Sequence, residues 1–162
     1  MAVDALDTRI LRLLIEQPRT SVREYARILG VARGTVQSRI DRLERDGVIT
    51  GTGPYLSLTA LGHPVLAFVH IEVTQGHLDE VGDALAAVPE IIEAFSITGG
   101  GDLLTRVAAR DNGHLEDVIQ RLIRLPGVVR TRTEMALRER VPHRLLPLVD
   151  SVGRAAGGAP PR

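Results

Sequence analysis

Between Arg19 and Arg45 the chain carries seven arginines (19, 23, 27, 33, 39, 42 and 45) against three acids, Glu24, Asp41 and Glu44. That is a local excess of 7 − 3 = 4 positive charges on a chain of 162 residues whose formal net charge is zero. Guanidinium groups fork onto phosphate oxygens and onto the acceptor edge of guanine, while amides and hydroxyls pair with other base edges. Gln37, Ser38 and Arg42 suit base edges, and Arg39 and Arg45 suit phosphates. Gly34 and Thr35 are small enough to let a backbone approach a duplex closely, and Ser21 and Arg33 complete the candidate DNA-contact set. All twenty basic residues are arginine, which biased composition alone produces, so only their clustering points to a nucleic-acid partner.

A second chemistry-bearing stretch is Thr98-Gly99-Gly100-Gly101-Asp102. Three successive glycines cost conformational entropy. They expose backbone N–H groups that can cradle a carboxylate, and Asp102 is placed to hold an ammonium. An ordinary flexible hairpin fits the same residues, and both readings stay open. A dinucleotide site would need GxGxxG opening a helix, which this is not.

Other chemistries lack their residues. There is no cysteine, hence no disulfide, thiolate metal site or thiol nucleophile. The five histidines (63, 70, 77, 114 and 143) form no metal spacing, and His77 and His114 fall near helix starts, where capping or exposure is expected. No Ser-His-Asp set or paired-carboxylate site is recognisable; Asp79-Glu80 and Glu116-Asp117 read as charges at helix N-termini. No catalytic residue, metal or resident cofactor is expected.

The arginine-rich stretch must be carried by helices. Leu6, Ile10, Leu13 and Leu14 form one apolar stripe, with Asp4 or Asp7 serving the N-terminus and Pro18 ending the helix. Ser21-Val22-Arg23-Glu24 predicts a capping box for a second helix with Val22, Ala26 and Leu29 inward and Gly30 at its end. The third helix runs from about Arg33 to Asp46, with Val36, Ile40 and Leu43 inward and the candidate contacts on the other face. Val48-Ile49-Thr50, the turn Gly51-Thr52-Gly53-Pro54 and Tyr55–Leu58 then predict a short hairpin wing. A plain three-helix bundle with a solvated polar face fits the periodicity as well.

The rest of the chain repeats itself at an offset of 37 residues. Gly76-His77-Leu78 recurs as Gly113-His114-Leu115, Val81 matches Val118, Leu85 matches Leu122, and Val88-Pro89 matches Leu125-Pro126. Each copy reads strand, Gly-containing turn, amphipathic helix, strand: Leu66–Val73 with Ile91–Thr98, and Leu103–Ala109 with Val128–Leu137. Two tandem βαβ units give a ferredoxin-like βαββαβ module, α+β in class, with both helices on one face of a four-stranded antiparallel sheet. The open face carries no uniform charge, so pairing of two subunits through it is expected.

A winged helix-turn-helix followed by a βαββαβ module resembles the Lrp/AsnC (feast/famine) family of regulators over residues 4–145. The resemblance lies in Asp4-x-x-Asp7-x-x-Ile10-Leu11, in Val36, Arg39, Leu43 and Asp46-Gly47-Val48-Ile49, in Thr98-Gly99-x-x-Asp102, and in Gly127-Val128-Val129-x-Thr131-x-Thr133. It implies a sequence-specific transcriptional regulator on double-stranded, pseudo-palindromic DNA, assembled as dimers that form tetramers, octamers or larger rings. It also implies an amino acid or related small-molecule effector at subunit contacts, held by Thr98–Asp102 with Thr131, Thr133 and Met135. Two departures stand out. Ala32 replaces the family's usual Ser at the start of the third helix, and Gly100 and Gly101 leave more room than the family's bulky or acidic residue there.

On this reading residues 1–60 are the DNA-binding domain, 61–65 a linker, 66–149 the effector and oligomerisation domain, and 150–162 a disordered tail. His143–Val149 is expected to pack as an extra strand or arm. The N-terminus has no signal-peptide pattern and no apolar run spans a bilayer, so a cytoplasmic protein is expected, without membrane partners. Two alternative readings are a small-molecule-binding module without DNA affinity and a dimeric ferredoxin-like enzyme.

Overall fold

The computed structural model describes residues 3–155. They form two compact units: residues up to Pro54 together with those from Val141 onward, and Tyr55–Arg140.

The first unit holds α1 (Ala5–Glu16), α2 (Val22–Leu29), α3 (Arg33–Arg45) and α6 (Leu146–Ala155). Asp4 and Asp7 cap α1 reciprocally: each carboxylate accepts the other's backbone N–H, at 2.9 and 3.0 Å. Ser21 caps α2 by accepting the Glu24 N–H at 3.3 Å. Only half of that expected box forms, because the Glu24 carboxylate turns to Arg27 at 2.6 Å instead of reaching back. Gly30, at φ +68°, makes the left-handed turn between α2 and α3. α3 starts at Ala32 without a side-chain cap. Ile10, Leu13, Ala26, Leu29, Val36 and Ile40 form the core with Tyr25, whose hydroxyl donates to the Gln17 carbonyl at 2.6 Å and closes the end of α1.

Two expectations for this unit need correction. No paired wing forms among the described residues: Val48 and Ile49, which were to open its first strand, both donate to the Leu43 carbonyl and finish α3 instead. Pro54 has no N–H for a ladder, and Ser57–Gly62 closes on itself as a hydrogen-bonded turn. The tail is not structureless from residue 150, nor is His143–Val149 a strand. Leu146–Ala155 is α6, which packs on α1 through an Arg12–Asp150 pair at 3.0 Å and through buried Gly153. A Cβ at Gly153 would lie 2.5 Å from Thr8 Cγ2, so only glycine permits this helix contact. Residues 156–162 of the expected tail lie outside the described residues.

The second unit is the βαββαβ module: β1 (Val65–Val73), α4 (Leu78–Ala86), β2 (Ile91–Ser96), β3 (Leu103–Ala109), α5 (Asn112–Ile123) and β4 (Val128–Met135). The sheet order is β2-β3-β1-β4, antiparallel throughout. Its core joins Ala67, Val69 and Ile71 to Leu103 and Val107, under Val81 and Leu85 of α4 and Leu115, Val118 and Leu122 of α5. The repeat governs this packing: Val81, Val118, Leu85 and Leu122 all have 0% exposure. It fails at the helix starts. Asp111 caps α5 early by accepting the His114 N–H, so α5 is 12 residues long against 9 for α4. Leu115 is accordingly buried where its counterpart Leu78 is 39% exposed.

The two histidines diverge for the same reason. His77 stands at the N-cap of α4 and pairs with Glu80 at 2.7 Å. His114, largely buried, accepts the Arg110 N–H at Nδ1 and meets Glu90 at 3.0 Å through Nε2. Burial pushes the Glu90 carboxyl up, but hydrogen bonds from Arg121, from its own backbone and from His114 outweigh it and leave it below its ordinary value.

Candidate nucleic-acid interface

The inward stripe Val36, Ile40 and Leu43 fixes which side of α3 faces the core. Arg33, Gly34, Thr35, Gln37, Ser38 and Arg45 are all exposed on the rest of it. Gly34, Gln37, Ser38 and Arg45 line one open depression, with Asp41, Arg39 and Arg42. Asp41 is not inert there: it accepts from the Gln37 amide at 2.7 Å, which fixes how that amide is presented. Ser21 is exposed, but its hydroxyl is occupied at the α2 cap.

Arg39 and Arg42 are placed differently from the expectation. Both point back to α1: Arg39 bonds the carboxylates of Asp4 and Asp7, the latter at 3.1 Å, and Arg42 bonds Asp7 at 2.5 Å. Asp7 is completely buried. Partial burial pushes the Asp4 carboxyl up, but the Arg39 hydrogen bond, the Asp7 amide and the Arg39 charge together leave it below its ordinary value. The same pairing holds the Arg39 guanidinium above its usual range, chiefly through the hydrogen bond to Asp4. Sequence reasoning saw Asp4 and Asp7 as caps and the arginines as contacts. The signal it missed is that acids three apart on α1 match arginines three apart on α3.

In the second unit the glycine-rich loop follows β2 and enters β3. Asp102 is tied to the end of β1, donating its N–H to the Ile71 carbonyl at 3.0 Å and accepting the Val73 N–H at 2.7 Å. A Cβ on Gly100 would lie 3.7 Å from the Arg132 guanidinium, and one on Gly101 would lie 3.3 Å from the Ile71 carbonyl oxygen. Loop and β4 therefore meet at Arg132, which the sequence reading passed over. Thr131, Thr133 and Met135 stand directly across from Ile71, Val69 and Ala67, and so share the helix-covered face. Arg132, opposite His70, is on the other face. Within one chain the loop and the Thr-x-Thr positions are on different sides of the sheet.

A family model described as the Lrp/AsnC ligand binding domain matches residues 66–146, and one described as winged helix-turn-helix DNA-binding matches residues 3–50. The chain belongs to the Lrp/AsnC family. Relatives similar to it include the HTH-type transcriptional regulator FL11 of Pyrococcus horikoshii, 31% identical over 84% of this chain and 90% of the relative. The proline dehydrogenase transcriptional activator of Rhodobacter capsulatus is 32% identical over 83% of this chain and 90% of its own. Among solved structures, E. coli AsnC superposes with a TM-score of 0.84 at 26% identity, covering 91% of this chain and all of that one. The feast or famine regulatory protein of M. tuberculosis, solved in complex with L-methionine, gives 0.79 at 30% identity, covering 88% and 97%. Fold and family agree: this Lrp/AsnC protein is a DNA-binding transcriptional regulator with an N-terminal helix-turn-helix and a ferredoxin-like second module.

No helix among the described residues is long and apolar enough to cross a membrane. Nor do any three His, Cys, Asp or Glu side chains among them cluster to hold a metal ion.

Proposed function

We propose that the regulator works in the cytoplasm as a homo-oligomer, each α3 reading half of a pseudo-palindromic operator, under control of an amino-acid effector bound at subunit contacts. The observation that carries the DNA contact is the exposed row Arg33, Gln37, Ser38 and Arg45 on α3, with Gly34 and Thr35 giving close approach and Ser21 at the start of α2 nearby in sequence. Gln37 and Ser38 are the base-edge readers; Arg33 and Arg45 take phosphates. Retardation of a duplex from the region upstream of its own gene tests this. Wild type should bind it in preference to random DNA, and Gln37→Ala should shrink that preference by about 1–3 kcal/mol, the worth of one good base pairing. Equal retardation of both duplexes overturns sequence-specific reading.

The effector site is the loop Thr98–Asp102, with Thr131, Thr133 and Met135 contributed across subunits. Support comes from the Arg132 guanidinium beside Gly100, a group that suits a carboxylate and that pairs with Glu134 at 3.2 Å, and from the L-methionine bound by the M. tuberculosis relative. Each of the twenty amino acids should be tested by thermal shift. A ligand at a hundred times its Kd adds about 2.7 kcal/mol of stability. Gly100→Val, at a glycine whose φ lies outside the left-handed range, should keep the melting temperature of the free protein and abolish the ligand's shift. Absence of a shift with all twenty overturns the amino-acid reading.

A further inference from the structure

We infer that Arg39 and Arg42 are positioning residues: with Asp4 and Asp7 they latch α3 onto α1 and set its rotation, while the direct contacts come from Arg33, Gln37, Ser38 and Arg45. This rests on the reading of α3 as the DNA-contacting helix.

Four observations carry it. Both oxygens of Asp7 are in use, Oδ1 by Arg39 and Oδ2 by Arg42 and the Asp4 N–H, and the residue is fully buried. Swinging either arginine out to a phosphate would strip a buried carboxylate of a charged partner, which is costly. The exposures agree, at 29% and 31% for the side chains of Arg39 and Arg42 against 70% for Arg45. The inner edge of Arg42 is buried, its Nε without a hydrogen-bond partner, and is not offered to a ligand. Finally, the anchor is rigid. Asp4 and Asp7 are held by each other's amides, so the oxygens that receive the guanidinium groups are fixed by the first turn of α1. A helix held at two points three residues apart cannot roll about its axis, and Gln37 and Ser38 depend on that roll to face a groove.

The two roles predict opposite results. Binding to the upstream duplex, and to a random-sequence duplex, is followed by fluorescence anisotropy across salt concentrations. Each lost phosphate contact lowers the slope of log K against log[salt] by about 0.9. Arg45→Gln should show that drop. Arg39→Gln should weaken binding with the slope unchanged, and Arg39→Lys, which keeps the charge but loses the fork, should not restore it. Asp4→Asn should also weaken binding, by about two- to fivefold as for a partly exposed ion pair, although it removes a negative charge from a DNA-binding unit. The Asp4→Asn/Arg39→Gln double variant should be no weaker than the weaker single one.

A drop in slope for Arg39→Gln, full binding by Arg39→Lys, or unchanged or tighter binding by Asp4→Asn overturns the inference. Asp4 is half exposed, so Asp4→Asn and Arg39→Lys decide the matter even where Arg39→Gln fails to fold. Binding of wild type to random but not upstream DNA sinks only the autoregulatory operator, and the slopes are then read on the random duplex. Binding to neither overturns the DNA reading and this inference with it.

Discussion

Asp7→Ala is expected to destabilise the helix-turn-helix unit by about 3–5 kcal/mol, the cost of removing one partner from a buried ionic cluster. A small part of that is the lost half of the α1 capping box, the Asp7 carboxylate that accepts the Asp4 N–H, while Asp4 itself stays as the N-cap. The rest comes from leaving Arg39 and Arg42 against a hydrophobic core without the carboxylate that met both. In urea unfolding the midpoint should fall with little change in slope, and Asp4→Asn should cost clearly less, because Asp4 is half exposed and meets one arginine where Asp7 meets two. A loss under about 1 kcal/mol for Asp7→Ala would mean that water replaces the carboxylate. Acid should reveal the cluster as well. The folded-state pKa of Asp4 is depressed, so its contribution is complete above the unfolded value of about 3.9 and is lost as the pH falls through the lower folded value. Wild type should therefore lose stability below about pH 4, and Asp4→Asn should lose less there.

Leu85→Ala and Leu122→Ala should each cost about 2–5 kcal/mol, the range for deleting a buried leucine side chain down to its Cβ. Both have 0% exposure and occupy the same place in the two repeats, one on α4 and one on α5. Thermal or denaturant melting of the ferredoxin-like unit should show losses of similar size. The matched pair seven residues earlier, about two turns back, should behave differently. Leu115→Ala removes a core side chain and belongs in the same range, whereas Leu78→Ala, at 39% exposure, should cost well under half as much. Equal losses at 78 and 115 would mean that the early cap at Asp111 does not reset the packing. A small loss at either 85 or 122 would mean that the surrounding side chains collapse into the cavity.

The ferredoxin-like unit was legible because its information is local and duplicated. The repeat fixes strand order, helix placement and inward positions without reference to anything distant. In the first unit the helices were legible from their caps and stripes, from Asp4, Ser21 and Gly30. What escaped depends on long-range choices. A Val-Ile-Thr run after a glycine fits a strand, yet the Val48 and Ile49 amides go to Leu43, since closing α3 satisfies an orphan carbonyl immediately and a wing needs a partner strand. α6 escaped because the residues it meets, Thr8 and Arg12, lie on α1, at the other end of the sequence. The arginines of α3 were read by type, and the type suits phosphates and carboxylates equally. Only the fold shows that carboxylates on α1 reach Arg39 and Arg42 first. Arg132 was hidden inside the Thr-x-Thr pattern because alternation along a strand sends it to the opposite face from its neighbours.

The docking of α6 on α1 has a consequence in time. Arg12 and Asp150 are 138 residues apart in the sequence, and Gly153 meets Thr8 across a similar span. During synthesis, at roughly 5–20 residues per second, α1, α2 and α3 emerge first, and the whole βαββαβ module follows before α6 exists. For that interval the flank of α1 at Thr8 and Arg12 stands uncovered. A newborn chain thus has its helix-turn-helix before it has the helix that covers α1, and the last contact of that unit forms only after the βαββαβ module has been made.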